Sequence, residues 1–470
     1  MQGIGGRPRL VVTADGAGIV SHAGTALLGG LVERVGLTGW VDEELAVLGG
    51  VRKRGGGHPP GRVLADLAVM IADGGEAIAD IAVLGDQPGL HGPVASPATA
   101  WRVLKAVADR GQDGLDALAR GRAQARERAW LARAELTGRA VPPARAAGVD
   151  LDYLVIDLDA TVVVCHSEKE QATPTFKMTF GYHPLLAFLD NTNEALAGLL
   201  RPGRAGSNTA ADHITVLDAA RAQIPDAHRA DPTLVRCDGA GFSHAFLDHL
   251  AGLGLQYSVG WTMSEPLRDG IRALPRAAWT SAVTTGNEPR DGADVAELTA
   301  MLPATHLAGW PPGLRLIVRR ERPHPGAQLD ALEERDGFRY QVFATNTAIG
   351  QLAFLDARHR AHARVEDRIR TGKDTGIGRF PSRSFAINAV WLSTALTAID
   401  LLAYTQTALL HDMPALARAE PKALRYRLLH TAARIVTGGR KLRLRLDRTW
   451  PWATHLTKAF TRLHAIPAPT

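Results

Sequence analysis

Cysteine is scarce: Cys165 and Cys237 are the only two in 470 residues. That excludes a disulfide framework and a cysteine-based metal site, and points to a reducing cytoplasm. No sustained apolar run marks Met1 to Val20, so no secretory leader is expected. The most apolar stretch, Phe385 to Leu410, is interrupted by Asn388, Asp400 and several Ser and Thr. Its charge-free part falls short of the roughly 20 apolar residues a membrane span needs, so a buried helix carrying Trp391 is expected, with no membrane partner. No internal repeat is visible. What is present is a globular composition, 46% hydrophobic and 22% charged, enough for roughly two to four domains. Lys and Arg outnumber Asp and Glu by 54 to 48. The excess suits a nucleic-acid partner without requiring one. Arginine predominates over lysine, which favours bidentate phosphate contacts; a GC-rich genome would enrich Arg, Ala and Gly as well.

Residues 1–145 read as mostly helical. Arg62 to Ala72 has helical spacing, Asp73-Gly74-Gly75 breaks it, and Glu76 to Leu84 resumes it. Ser96-Pro97 starts a helix to Ala108 that brings Arg102 and Lys105 together on one face. Two readings stand: a helix entering a DNA groove, or a helical bundle with solvated charges. Arg120 to Arg133 is a very basic helix, and Val141-Pro142-Pro143 reads as a linker.

In residues 150–261 the pattern changes. Tyr153 to Thr161, running on into Val162–Cys165, is a strand rich in β-branched residues. Lys177 to Leu189 and Glu194 to Leu200 give two more strands around an Asp190–Asn193 turn, followed by a helix (Ala210 to Ile224), a strand (Leu234 to Asp238), a helix (Phe242 to Leu253) and a strand (Gln256 to Gly260). This is the ribonuclease-H-like order, so the expected class is α/β with a mixed sheet. Residues 262–337 carry short strand-like pieces, Ala278 to Thr284 and Leu314 to Arg320, between Pro and Gly turns: a β-rich insertion. Residues 338–414 add a last strand (Phe338 to Ala344), a helix from Gly350 to Thr371, a loop and the apolar helix. Residues 415–470 form a basic tail with a helix and an alternating strand, Arg440 to Leu446.

Three acids stand out. Asp157 and Asp159 fall on one face of the first strand, where two carboxylates are costly unless hydrogen-bonded or cation-bound. Asp238 ends a buried strand and precedes Gly239-Ala240-Gly241, the position at which open α/β sheets place ligands; a plain turn acid is the alternative. Glu366 shares a helical stripe with His359, His362, Arg370 and, if the helix persists, Lys373, which an ordinary solvated face would also explain.

At these residues the chain resembles the DDE transposases of bacterial insertion sequences, domain group 1, over roughly residues 60–460. The motifs are Ile156-Asp-Leu-Asp-Ala-Thr161, Gly181-Tyr-His-Pro184, Leu200-Arg-Pro-Gly203, Val235-Arg-Cys-Asp-Gly239, Val365-Glu-Asp-Arg-Ile369 and the segment Gly376 to Asn388. The resemblance implies that Asp159, Asp238 and Glu366 are the catalytic acids. It implies two Mg²⁺ ions (or Mn²⁺) between them. Of the Tyr-x2-Arg-x3-Glu-x6-Lys signature found in related enzymes, Glu366 and Lys373 match, while His359 and His362 replace Tyr and Arg; Arg360 and Arg364 are shifted substitutes. Arg236, His362, Arg364, Arg370 and Lys373 would contact phosphates, with Arg102 and Lys105 in the N-terminal DNA-binding region. Trp261, Trp279 and Trp310 are candidates for holding a flipped base, although a buried role suits each better. The implied reaction is DNA cleavage at terminal inverted repeats, then attack of the freed 3′-hydroxyl on target DNA. A homodimer would pair two double-stranded ends, in the cytoplasm at the nucleoid. Two rivals remain: a domesticated, non-catalytic DNA-binding relative, and a haloacid-dehalogenase-like phosphatase with Asp157 as nucleophile, which would require a parallel sheet.

Overall fold

The computed structural model describes residues 10–49, 57–165, 168–206 and 209–469. A short strand β1 (Ile19–Val20) precedes five main N-terminal helices: α1 (Thr25–Arg34), α2 (Leu37–Leu48), α3 (Pro60–Asp73), α4 (Pro97–Ala108) and α5 (Gly111–Thr137). The start of α4 has a physical cause. Ser96 Oγ accepts the Thr99 N–H at 3.3 Å, and Pro97 occupies the first turn, where no amide is needed. Nearly every residue of α3 is buried, so it forms the middle of the helical core rather than a surface.

The sheet follows: β2 (Leu154–Ala160), β3 (Leu185–Leu189), β4 (Ala195–Leu199), α6 (Ala210–Ala222), β5 (Thr233–Cys237), α7 (His244–Gly252) and β6 (Gln256–Trp261). Then come α8 (Glu265–Ala273), β7 (Thr280–Val283), β8 (Pro289–Glu297), β9 (Arg315–Glu321) and β10 (Arg339–Thr345). All nine strands from β2 to β10 join one sheet in the order β7-β8-β9-β10-β6-β5-β2-β3-β4. The β2–β3 and β3–β4 pairs are antiparallel, whereas β5 runs parallel to β2 and β6 parallel to β5. The antiparallel partner beside β2 opposes the all-parallel sheet of the phosphatase rival. Strands β7 to β9 extend the same sheet through antiparallel pairing of β9 with β10.

Both faces of β3 are covered. Leu186 and Phe188 pack into the helical core, while Leu185, Ala187 and Leu189 pack into a second core beneath α6 and α7. Side chains alternate along a strand, so a continuous apolar run marks burial on two sides. After β10 come α9 (Leu352–Arg360), a 3₁₀ turn (Ala361–Ala363), α10 (Arg364–Gly372), α11 (Phe385–Tyr404), the hairpin β11 (Ala433–Gly438) and β12 (Lys441–Leu446), and α12 (Ala453–Ala465). With its following turn to Leu409, α11 is long and apolar enough by composition to cross a membrane, yet 72% of its most apolar window is buried inside the protein. A helix apolar on all sides is also what a core element looks like. Trp391 is fully buried there and donates to Gly376 O at 2.9 Å.

Some elements differ from expectation. The strand expected over Lys177 to Leu189 is two, Phe180–Tyr182 and Leu185–Leu189, because Pro184 between them has no N–H for the ladder. The helix expected over Gly350 to Thr371 is divided by the 3₁₀ turn, which rotates its two halves out of one stripe. The basic helix α5 turns part of its charge inward. Arg126 is fully buried, 2.8 Å from Glu194 and 2.5 Å from Asp400, and Arg122 reaches Asp400 at 2.8 Å. Those arginines join the helical region to β4 and α11.

Candidate active site

Strand register sets a polar row across one face of the sheet. Asp157 on β2 lies opposite Arg236 on β5, Arg236 opposite Ser258 on β6, and Ser258 opposite Thr345 on β10. All four are fully buried, under α9 and α10. Asp157 is saturated with cations. Arg236 holds it with two bonds (2.7 and 2.8 Å), Arg368 approaches at 3.0 Å, and His362 Nδ1 lies 3.0 Å away. Asp190 completes the cluster, bonded to Arg236 at 2.8 Å and also to Arg364 and Arg368. Burial opposes both charges, but the guanidiniums prevail and hold Asp157 and Asp190 below the usual carboxylate range. His362, Val365, Arg368 and Ile369 form the sheet-facing side of α10 and the turn before it. The ion cluster therefore fixes that segment against β2.

Two residues further along β2 the situation reverses. Asp159 is half-buried and, among the described residues, accepts a hydrogen bond only from the N–H of Ala160, at 2.7 Å. The parallel register that puts Cys237 opposite Leu158 brings Asp238, just past the end of β5, alongside Asp159. Asp238 is exposed and caps the Gly239–Gly241 turn through the Ala240 N–H, at 2.9 Å. A Cβ on Gly260 of β6 would lie 2.7 Å from Gly239 N, so only glycine lets that turn sit so close to the neighbouring strand. Glu366 is exposed at the rim of α10's packed face. Among the described residues none of these three acids has an ion-pair partner. Burial, then the charge of Asp238, and more weakly that of Glu366, push Asp159 up to about 6, partly offset by His362. Asp159 thus feels both other acids. Their oxygens do not all lie within 4.8 Å of one another, whereas the ring nitrogens of His22 and His430 and a carboxylate oxygen of Asp73 do. Three carboxylates short of positive charge fit hard divalent cations.

The family model of the transposase DDE domain group 1 matches residues 2–468. The chain belongs to that transposase family. Among solved structures, the piggyBac transposase synaptic complex with hairpin DNA is similar at 10% identity, over 87% of this chain and 80% of that one, with a TM-score of 0.41. No curated protein matches.

Within this transposase-family chain the basic residues separate into two groups. Arg236 is not at a surface, and the expectation that it meets DNA phosphate is corrected: it is fully buried and committed to Asp157, Asp190 and the carbonyl of Arg358. His362 is corrected likewise, being buried against Asp157. His359 stacks flat on Phe343, with centroids 4.4 Å apart, and bonds Ser258 at 2.9 Å. Arg364 is partly exposed but tied to Asp190 and to the carbonyl of Arg145, at 2.9 Å. Arg370 is exposed and paired with Asp367 and Glu420 at 3.0 and 2.8 Å. Lys373 lies just past α10 and donates to Val162 O at 3.0 Å, beside the loop leaving β2; burial and Lys177 lower its pKa. Arg102 and Lys105 lie on the exposed side of α4, Lys105 paired with Asp109 at 2.7 Å. Trp261 is buried and joins Phe242, Trp310 and His244 in an aromatic cluster, His244 and Trp310 stacking at 3.6 Å. Trp279 is half-buried under the Arg320 guanidinium, 4.3 Å from its ring. Sequence reasoning missed Arg368 and Asp190. The available signal was Asp157 itself, a strand acid that needed buried cations.

Proposed function

We propose that this transposase-family chain cleaves and joins DNA at the ends of its element, with Asp159, Asp238 and Glu366 as the acids that hold two divalent ions, Mg²⁺ by expectation and Mn²⁺ as substitute. The observation that carries the reading is that Asp159, Asp238 and Glu366 have no ion-pair partner among the described residues, while burial and the other two acids, partly offset by His362, push Asp159 up to about 6. The β4-β3-β2-β5-β6 order, antiparallel then parallel, supports a ribonuclease-H-like core, with residues 262–337 as an insertion between the second and third acids.

Bound there, the ions would supply positive charge at the attacking and leaving oxygens of the phosphodiester. The chain's own part is positional. Strands β2 and β5 hold Asp159 and Asp238 in register, and the Asp157 cluster holds the segment bearing Glu366 over them. Lys373, Arg364 and Arg370, on or just past the helix that bears Glu366, would bind phosphate, the last two by exchanging a carboxylate partner for DNA. Arg102 and Lys105 on α4 would contact the terminal inverted repeats. Pairing two ends calls for a homodimer, in the cytoplasm at the nucleoid.

The test is strand transfer in Mg²⁺ on a plasmid carrying the DNA that flanks the coding region. Loss of activity is expected in each of Asp159→Ala, Asp238→Ala and Glu366→Ala. Full activity in any one removes that acid from the site.

A further inference from the structure

A second group of metal-ligating side chains lies far from the acids in sequence. The β1–β11 pairing sets Val20 opposite Ala433, and the chain crossing continues with Ala23 N donating to Thr431 O at 2.8 Å and Gly24 N to Leu429 O at 3.1 Å. This brings His22 and His430 side by side, their rings stacked with centroids 4.0 Å apart. Asp73, the last residue of α3, points its carboxylate between them. His22 Nδ1 lies 2.6 Å from Oδ2, and His430 Nε2 lies 3.1 Å from Oδ1. The ligand atoms all fall within 4.8 Å of one another.

The two imidazoles are the ion-pair partners of Asp73 among the described residues, and contact with Asp73 holds His430 above its usual range. Asp73 is 6% exposed and stands at the C-terminus of α3, the negative end of the helix dipole. Its Oδ1 is buried and, despite lying 3.1 Å from His430 Nε2, has no hydrogen bond. The nearby Arg425 attracts Asp73 but makes no hydrogen bond to its carboxylate, its guanidinium donating to the carbonyls of Ile71, Ala72 and Asp374 and the hydroxyl of Thr375. The two imidazoles are 30% and 37% exposed, so an ion has a path from solvent and room for water as a fourth ligand. Tetrahedral Zn²⁺ with ligand bonds near 2.0–2.2 Å separates its donors by about 3.4 Å. The observed 2.6 and 3.1 Å need only sub-ångström opening to reach that separation.

We infer that His22, Asp73 and His430 form a structural binding site for a borderline transition-metal ion such as Zn²⁺, joining the N-terminal strand, the end of α3 and the C-terminal segment. Nitrogen donors favour such an ion over Mg²⁺. The site is independent of the three acids.

The experiment uses the full chain stripped by a chelator, titrated with Co²⁺ and Zn²⁺. The expected result is one equivalent of Co²⁺ giving the visible absorption of a four-coordinate ion, displaced by Zn²⁺, with Zn²⁺ raising the thermal midpoint. The Asp159→Asn/Glu366→Gln protein should retain that binding. His22→Ala/His430→Ala should lose it, with folding checked by circular dichroism. His430→Gln, a milder change at a half-exposed position, should weaken binding at least tenfold if the double variant does not fold. Absence of a visible band and of a thermal shift in the unsubstituted protein overturns the inference. So does binding unchanged in His430→Gln.

Discussion

Asp157 and Asp159 sit two residues apart on the same face of the same strand, yet one is fully neutralised and the other is not. Asp157 meets Arg236, Arg368 and His362 and is held below its ordinary range; Asp159 is raised to about 6 by burial and by the charges of Asp238 and Glu366. Local sequence cannot distinguish them, since both are strand acids among apolar neighbours. The difference is made by what α10 and the end of β5 bring over each position. A buried acid with built-in cations serves architecture, whereas an acid surrounded by acids is paid for in stability and keeps room for a ligand.

The comparison breaks most visibly in activity. Asp159→Ala should lower strand transfer by at least about a hundredfold, since even outer-shell partners of metal ligands are worth 10–100-fold. The check is a Mg²⁺ assay on protein with an unchanged circular dichroism spectrum.

Asp157→Asn should act first on folding. It leaves Arg236 and Arg368 buried and under-compensated, and removing one partner of a buried pair costs about 3–5 kcal/mol. Urea denaturation measures it. A loss below about 1 kcal/mol would put Asp157 outside the architectural group.

Asp159→Asn should move stability the other way. A carboxyl raised from 3.8 to about 6 contributes stability below pH 4 that is lost as pH rises through 6. Metal-free protein should therefore weaken between pH 4 and 6 at this site. At pH 7 the Asn variant should be more stable by up to about 3 kcal/mol. Thermal melts at pH 4 to 7, with and without Asp159→Asn, check the slope. Divalent-ion affinity should rise with pH through the same window, because the ligand must be ionised.

The smallest effects belong to the solvent-facing charges of α4. Arg102→Ala and Lys105→Ala should change stability by less than about 0.5 kcal/mol. If α4 contacts phosphate, each should reduce the salt slope of binding to the flanking DNA by about 1; an unchanged slope leaves α4 as bundle surface.

Much of the fold was legible because it rests on local signals. The Ser96-Pro97 start of α4, the β-branched run of β2 and the apolar α11 each carry their own period or cap. Strand β8 was missed, since Pro289 to Glu297 has charges and glycine where a strand signal is usually β-branched. Its inward residues, Ala293 and Val295, are small and pack under α9. Helix α8 was missed within the same Pro- and Gly-rich region. Arg236 and His362 were misjudged because a basic residue near an acidic motif looks the same whether it faces DNA or the core.

By itself, the sequence determined the order of helices and strands and the family motifs, because periodicity, caps and turn residues act over a few positions. Only the tertiary structure decided which charges neutralise one another. Pairing between residues such as Asp157 and Arg368, or Asp73 and His430, depends on strand register and helix placement, and Coulomb energy depends on distance and burial rather than on separation along the chain.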